Sequence, residues 1–192
     1  DRIVSIAEKH KVKVVKESQS ATEAALIWKG RKSAFGATGR IADYICMDGT
    51  VPLGQLSHVL KETSVIVERY GLRVANVFHA GDGNMHPLIL YNVNDPVEAQ
   101  KAEDCGMDLL RLCVDAGGCL TGEHGVGIEK RDLMTDMFTE DDLKQQQRVK
   151  CAFDDKHLLN PGKVFPVLHR CVELGKMHVH KGKLPFPDIP RF

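Results

Sequence analysis

Two apolar, β-prone runs flank a short polar stretch in this chain, and their arrangement constrains the fold more than any other feature. The runs are LRVANVF and PLILY, and the stretch between them is HAGDGNMH, which is rich in Gly, Asp and Asn. Residues of these types form turns and interrupt helices. The pattern therefore predicts an antiparallel hairpin in which AGDGNM is the turn and one histidine stands on each side of it.

His79 and His86 are the histidines at the two ends of this predicted turn. On one continuous strand their odd separation would send them to opposite faces. If the chain folds back between them, they face each other across the base of the hairpin, where two imidazoles can bind one metal ion. Pro87 predicts an edge strand or a bulge, which would leave His86 accessible. The alternative interpretation is a polar turn with two surface histidines.

A second Gly-rich stretch, TGEHGVG, carries Glu123 and His124. Adjacent side chains of an extended segment point apart, so the carboxylate could complete a metal site while the imidazole faces a substrate. The glycine spacing matches neither the Walker A nor the dinucleotide-binding pattern. A plain turn before a helix is the alternative. Two histidines and one carboxylate nevertheless form a recognised catalytic metal set, with positions left open for a substrate oxygen.

The rest of the chain mixes helices and strands without the regular alternation of a parallel sheet. KVKVV, at 11–15, has the β-branched composition of a strand. Residues 36–54 are predicted to be an internal loop region around one short strand, and the proline-rich residues 167–192 an extended tail. An α+β domain with an antiparallel sheet covered by helices is therefore expected. Capping patterns and helical spacing predict helices at 1–10, 20–32, 55–70, 95–116 and 139–153.

Composition excludes several classes of protein. The 192 residues include 26 basic and 26 acidic side chains, so no net charge attracts nucleic acid. The six cysteines form no Cys-x-x-Cys pair, which argues against a zinc ribbon or an iron–sulfur cluster and is typical of reduced thiols in a cytoplasmic protein. No apolar run reaches the roughly 20 residues of a membrane span. The first helix starts at Asp1 without a cap, which predicts that the chain is part of a longer protein.

Three motifs in a fixed order carry a family resemblance: VANVFHAGDGNMHPLILY, GGCLTGEHGVGIEK and LLNPGKVFPVLHRC. Together with the upstream segments WKGRKSAFGATGRI and DYICMDGTVP, they resemble the C-terminal part of the catalytic subunits of FAD-dependent glycolate oxidases. These belong to the FAD-linked oxidases, with the D-lactate and D-2-hydroxyglutarate dehydrogenases. The resemblance covers nearly the whole chain. It implies a ferredoxin-like substrate and metal domain over residues 1–192 that includes a C-terminal helical segment.

The resemblance also implies a role for each candidate residue. His79, His86 and Glu123 would bind a divalent metal such as Zn, Fe or Mn, and His124 would be the general base. Arg31 would hold the carboxylate of a small 2-hydroxy acid, because its planar guanidinium matches that group with two hydrogen bonds. No residue is predicted to bind the cofactor directly.

Asn84 and Asn160 are candidates for an outer layer of the site. FAD would be bound mainly by a domain outside this chain, either upstream or in another subunit, and would accept a hydride from the substrate. The resemblance further implies an iron–sulfur electron-transfer subunit as a partner, and a cytoplasmic location, peripheral to the inner membrane through companion subunits. Without the flavin domain the chain alone would be inactive.

Two departures from the family pattern are Leu53, where relatives carry Arg, and Gly36, where they often carry Pro. The loss of this Arg could weaken contacts with the substrate or the flavin, or it could reflect drift in a chain whose function is relaxed. Two other functions therefore stay open. One is a non-catalytic metal-binding or assembly module of the same fold, and the other is a flavin-independent metallohydrolase that uses the same residues.

Overall fold

The computed structural model of the chain describes residues 2–166, so the predicted tail at 167–192 lies outside the described residues. The described part divides into two compact units, one within residues 2–44 and the other within residues 45–166. Among the helices of residues 2–166, none is both long and apolar enough to cross a membrane.

The first unit contains three helices, α1 (Arg2–Lys9), α2 (Ala21–Lys32) and α3 (Ala34–Thr38). The start of α2 is set locally, because the Ser20 hydroxyl accepts a hydrogen bond from the N–H of Glu23 at 3.2 Å. The predicted strand KVKVV is wrong. Lys11 adopts a positive φ of 55° at the end of α1, and the three valines that follow are exposed and form no strand. A β-branched run becomes a strand only where a neighbouring strand satisfies its backbone.

The second unit is built around a four-stranded sheet. The strands are β1 (Asp43–Cys46), β2 (Gly49–Thr50), β3 (Arg73–His79) and β4 (Asn84–Tyr91), and the division between the two units falls within β1. β3 and β4 form the predicted antiparallel hairpin. β4 also pairs with β1 and β2, so it is the central strand. The predicted loop region 36–54 therefore contains β2 as well as β1.

Two helices pack against this sheet, α4 (Leu56–Arg69) after β2 and α5 (Pro96–Asp115) after β4. Thr50 also forms an antiparallel bridge with Cys119, beyond the end of α5. The spatial order is then β3, β4, β2 and the bridge at Cys119. This is the order of a ferredoxin-like βαββαβ unit whose last strand is reduced to one residue pair. The predicted α+β class, with an antiparallel sheet covered by helices, is confirmed.

The core lies between α5 and the sheet. The buried face of α5 carries two thiols, and burial raises the pKa of Cys105 to about 11 and that of Cys113 to about 12, as expected for unreactive core side chains. Two further helices, α6 (Met134–Met137) and α7 (Glu140–Phe153), complete the unit. α7 begins at the predicted capping box of Thr139 and Asp142.

The position of Pro87 contradicts the prediction of an edge strand. Pro87 lies in β4, the central strand, opposite Asn76 of β3. On the other side its carbonyl accepts a hydrogen bond from the N–H of Met47 at 3.1 Å, between the end of β1 and the start of β2. Because the ladder is interrupted there, the missing N–H of proline costs the sheet little.

Candidate functional site

The β3–β4 hairpin places two histidines on one face of the sheet, but not directly opposite each other. His79 pairs with Asn84, and His86 pairs with Val77, so the two histidines are diagonal neighbours. The predicted six-residue turn is therefore too long, because Asn84 already belongs to β4. Their ring centroids nevertheless lie 5.5 Å apart, with the ring planes at 82°. Diagonal positions on one face are close enough for long side chains to meet.

His86 is buried, and the prediction that it is accessible is wrong. Only 2% of the residue is exposed, because its ring is surrounded by the side chains of Asp48, His79, Glu123 and His124. Burial lowers the pKa of His86 and outweighs the opposing effect of the carboxylates of Asp48 and Glu123. Neutral imidazole is the form that binds metal ions.

The Glu123–His124 segment converges on His86, and the prediction that its two side chains point apart is wrong. Oε1 of Glu123 lies 3.0 Å from Nε2 of His86, and 3.9 Å from Nε2 of both His79 and His124. The segment is not extended. Three consecutive N–H groups, from Gly122 to His124, curve around a single carboxylate, that of Asp48.

Asp48 is the functional candidate that the sequence prediction missed. It lies between β1 and β2 and is fully buried. Its Oδ1 lies 3.6 Å from Nε2 of His86, and its Oδ2 accepts a hydrogen bond from the Thr121 hydroxyl at 2.7 Å. The signal was present in DYICMDGTVP, where one acidic residue follows an apolar strand and precedes a glycine. Only its contacts with residues distant in sequence reveal its role.

Lys130 accompanies Asp48 into the interior. Its Nζ lies 3.2 Å from Oδ2 of Asp48, and only 2% of the residue is exposed. Burial alone would raise the pKa of the Asp48 carboxyl. Hydrogen bonds from Thr121 and from the N–H of His124, together with the charge of Lys130, more than offset that effect and hold this pKa well below its ordinary value. Asp48 is therefore a carboxylate at neutral pH.

Four side chains at this place have the geometry of a metal site. The ligand atoms of Asp48, His86, Glu123 and His124 all lie within 4.8 Å of one another. His79 stands beside this group through its 3.9 Å approach to Glu123. The buried side of the cluster is formed by Asp48 and His86, while the other three side chains are about half exposed. Two nitrogen and two oxygen donors suit a divalent transition metal, and the exposed side can admit a small ligand.

Asn84 lies behind this cluster. Only 7% of the residue is exposed, and its Oδ1 accepts no hydrogen bond from any group in residues 2–166. A Cβ at Gly122 would stand 2.7 Å from the Asn84 carboxamide, so only glycine lets the backbone pass this closely. The Asn84 carboxamide thus lies against the segment that carries Glu123, and its place in an outer layer of the site stays a prediction.

The prediction also named Arg31 and Asn160. Arg31 is an exposed residue of α2 in the first unit, with its guanidinium carbon 5.8 Å from the ring centroid of Trp28. Asn160 is exposed and accepts a hydrogen bond from Nζ of Lys163 at 3.2 Å. It is not part of the metal-site geometry described above. Leu53 is exposed on the turn that precedes α4.

Comparisons with known proteins identify relatives of the chain. The family model for FAD linked oxidases, C-terminal domain, matches residues 2–164. Glycolate oxidase subunit GlcD of Escherichia coli strain K12 is 51% identical over 100% of this chain, which covers 39% of that relative. GlcD of Bacillus subtilis strain 168 is 30% identical, over 86% of this chain and 35% of the relative. Mitochondrial D-lactate dehydrogenase (cytochrome) of Kluyveromyces lactis is 36% identical, over 73% of this chain and 25% of the relative.

The chain therefore spans 39% or less of the length of these relatives. Among solved structures, the 4-ethylphenol oxidase from Gulosibacter chungangensis, in its isoeugenol complex, matches with a TM-score of 0.56 and 17% sequence identity. The match covers 88% of this chain and 38% of that oxidase, and it supports the α+β fold described above.

Proposed function

Because the chain belongs to the family of FAD-linked oxidase C-terminal domains, we propose that it is the substrate- and metal-binding part of a flavin-dependent oxidoreductase. The substrate would be glycolate or a related D-2-hydroxy acid, and the product the corresponding 2-oxo acid. The observation that carries this proposal is the convergence of His86 and Glu123, 3.0 Å apart, at a partly exposed cluster of nitrogen and oxygen donors.

We propose that His79, His86 and Glu123 hold a divalent metal such as Zn, Fe or Mn. Their donor atoms need only small movements to bind one ion, since the two histidine nitrogens lie 3.9 and 3.0 Å from the same carboxylate oxygen. The depressed pKa of His86 favours its neutral form, which is the form that binds metal. Such an ion would polarise the 2-hydroxyl group of the substrate and so make its proton easier to remove.

In this proposal the general base is His124. About half of its side chain is exposed, so its imidazole can reach a small molecule bound at the cluster and accept the hydroxyl proton. Arg31 would bind the substrate carboxylate through a bidentate contact, an assignment that depends on the WKGR motif. His124 also belongs to the group of possible ligands, so its role as a base must be tested separately from metal binding.

The redox chemistry belongs to FAD, which would accept the hydride from carbon 2 of the substrate. The relatives named glycolate oxidase subunit and D-lactate dehydrogenase support an oxidoreductase. Because the chain spans 39% of the Escherichia coli relative, we propose that the flavin is bound mainly by another part of the protein or by another subunit. An iron–sulfur subunit would be a further partner in electron transfer.

Metal analysis and dye reduction test this function in the full-length protein. We expect His79→Ala to lower the metal content, whereas His124→Ala should keep the metal and abolish glycolate-dependent dye reduction. Lys144→Ala, a change on the exposed surface of α7, is the matched control and should alter neither. Equal metal content in wild type and His79→Ala would rule out His79 as a ligand. Activity that survives His124→Ala would rule out His124 as the general base. Metal binding without any hydroxy-acid oxidation would favour the non-catalytic module.

A further inference from the structure

We propose that Asp48 is a positioning residue that holds the Glu123–His124 segment against the metal site, and that it does not itself bind the metal. This inference deepens the function proposed above and depends on its metal site. It assigns Asp48 to organising the Glu123–His124 segment, whereas His86 and Glu123 of the same cluster are the proposed metal ligands.

The hydrogen bonds of the Asp48 carboxylate carry the inference. Oδ2 accepts from the Thr121 hydroxyl at 2.7 Å and from the N–H groups of Gly122, Glu123 and His124 at 3.1, 3.1 and 2.8 Å. A carboxylate oxygen has two lone pairs, so these donors already occupy Oδ2. Oδ1, which lies 3.6 Å from Nε2 of His86, also accepts from the N–H of Glu123, at 3.2 Å. A metal on Oδ2 would have to displace the backbone of the segment that supplies Glu123.

The charge around Asp48 leads to the same conclusion. Nζ of Lys130 lies 3.2 Å from Oδ2 and donates at 3.5 Å to the carbonyl of Asp48. This buried ammonium compensates the buried carboxylate. A divalent cation on the same carboxylate would stand close to a like charge in a poorly solvated place, which is unfavourable. Within residues 2–166 the ion-pair partners of Glu123 are histidines and not lysines, and its side chain is half exposed, so it is the better anionic ligand.

The geometry of the segment explains what Asp48 controls. Glu123 and His124 have their N–H groups bonded to one buried carboxylate, and Gly122 is packed against the carboxamide of Asn84. Their side chains leave the backbone from a fixed position and reach His86 from the exposed side. If Asp48 is replaced, both side chains should lose their common anchor, while the ligand atoms themselves remain in the chain.

Cobalt(II) binding and amide hydrogen exchange test the inference in the full-length protein. In the metal-free state, Asp48→Asn should speed the exchange of the N–H groups of residues 122–124 by about tenfold or more, as expected for the loss of hydrogen bonds to a charged group. With Co²⁺, it should weaken affinity by about 10–100-fold and leave the positions of the d–d absorption bands unchanged. Glu123→Gln should instead shift the bands, because it changes a ligand. Asp136→Asn, on the exposed surface near Arg111, is the control and should change neither measurement.

Thr121→Val provides a second variant if Asp48→Asn does not fold. It removes the 2.7 Å bond from the hydroxyl and keeps the carboxylate, so it should produce smaller changes in the same direction. The inference is overturned if Asp48→Asn shifts the Co²⁺ bands as Glu123→Gln does, or if exchange at 122–124 is unchanged. If the wild type binds no Co²⁺ and exchange at 122–124 still rises, the proposed metal site fails while the positioning role of Asp48 stands.

Discussion

Replacing Lys130 with methionine removes a buried ammonium and leaves the Asp48 carboxylate without its charged partner. Both residues are at most 2% exposed, and the two charged atoms lie 3.2 Å apart. Removing one member of a buried ion pair typically costs about 3–5 kcal/mol, because the remaining charge is left in a place that solvates it poorly. Methionine has a similar length and creates no large cavity, so the lost charge should account for most of this cost.

Urea unfolding of the metal-free protein measures this cost. With a typical slope of about 2 kcal/mol per molar urea, the midpoint of Lys130→Met should fall by roughly 1.5–2.5 M. Lys144→Met, which removes a partly exposed lysine paired on the surface of α7, is the matched control and should cost no more than about 1 kcal/mol.

A double-mutant cycle tests the physical reason. Asp48→Asn removes the opposite charge, so the double variant should be more stable than the sum of the single changes predicts, by about 0.5–3 kcal/mol. A loss below about 1 kcal/mol for Lys130→Met would refute the reasoning. Strict additivity of the two free-energy changes would also refute it, because it would mean that Lys130 and Asp48 do not stabilise each other.

Three further predictions concern other parts of the second unit. Gly122→Ala should weaken metal binding and cost about 1–3 kcal/mol, because the new methyl group would lie 2.7 Å from the carboxamide behind it; unchanged metal affinity would contradict this close approach. Leu143→Ala should cost about 2–5 kcal/mol in urea unfolding, since the side chain is fully buried in α7, whereas Val149→Ala on the exposed face should stay within about 0.5 kcal/mol. Hydrogen bonding from Lys150 lowers the pKa of Asp154, so the stability from this contact should be fully present above the ordinary carboxyl pKa and be lost as the pH falls through the lowered pKa of the folded protein. Asp154→Asn should therefore unfold more easily than wild type at about pH 6, with a smaller difference at about pH 3, and an equal difference at both values would argue against this linkage.

Interactions between near neighbours in the chain made several elements predictable. The Thr139–Asp142 capping box starts α7, and Asp95 caps α5 by accepting from two N–H groups of its first turn. The hairpin followed from two β-prone runs and the glycines between them. In each case the residues that decide the structure lie within a few positions of one another, so their pattern is visible in the printed sequence.

Predictions that depended on distant partners were less successful. Pro87 is typical of an edge strand, but β4 became central because β1 and β2 pair along its other side. KVKVV has a strand composition but meets no partner strand in the first unit. Glu123 and His124 were expected to diverge, and they converge because their backbone wraps around Asp48. Strand position and loop curvature are consequences of which segments meet in space.

Short motifs in the printed sequence were enough to identify the family and the α+β class and to single out the histidines and the glutamate as candidate metal ligands. That His86 is buried, that His79 meets it diagonally, and that Asp48 and Lys130 pair in the interior depends on how distant segments fold together. Asp48 precedes the hairpin and Lys130 follows α5, and the sheet brings both to the base of the Glu123–His124 segment. A buried charge is stable only if an opposite charge or hydrogen-bond donors lie within a few ångströms. In this protein those partners come from distant parts of the chain, so the folded structure is needed to identify them.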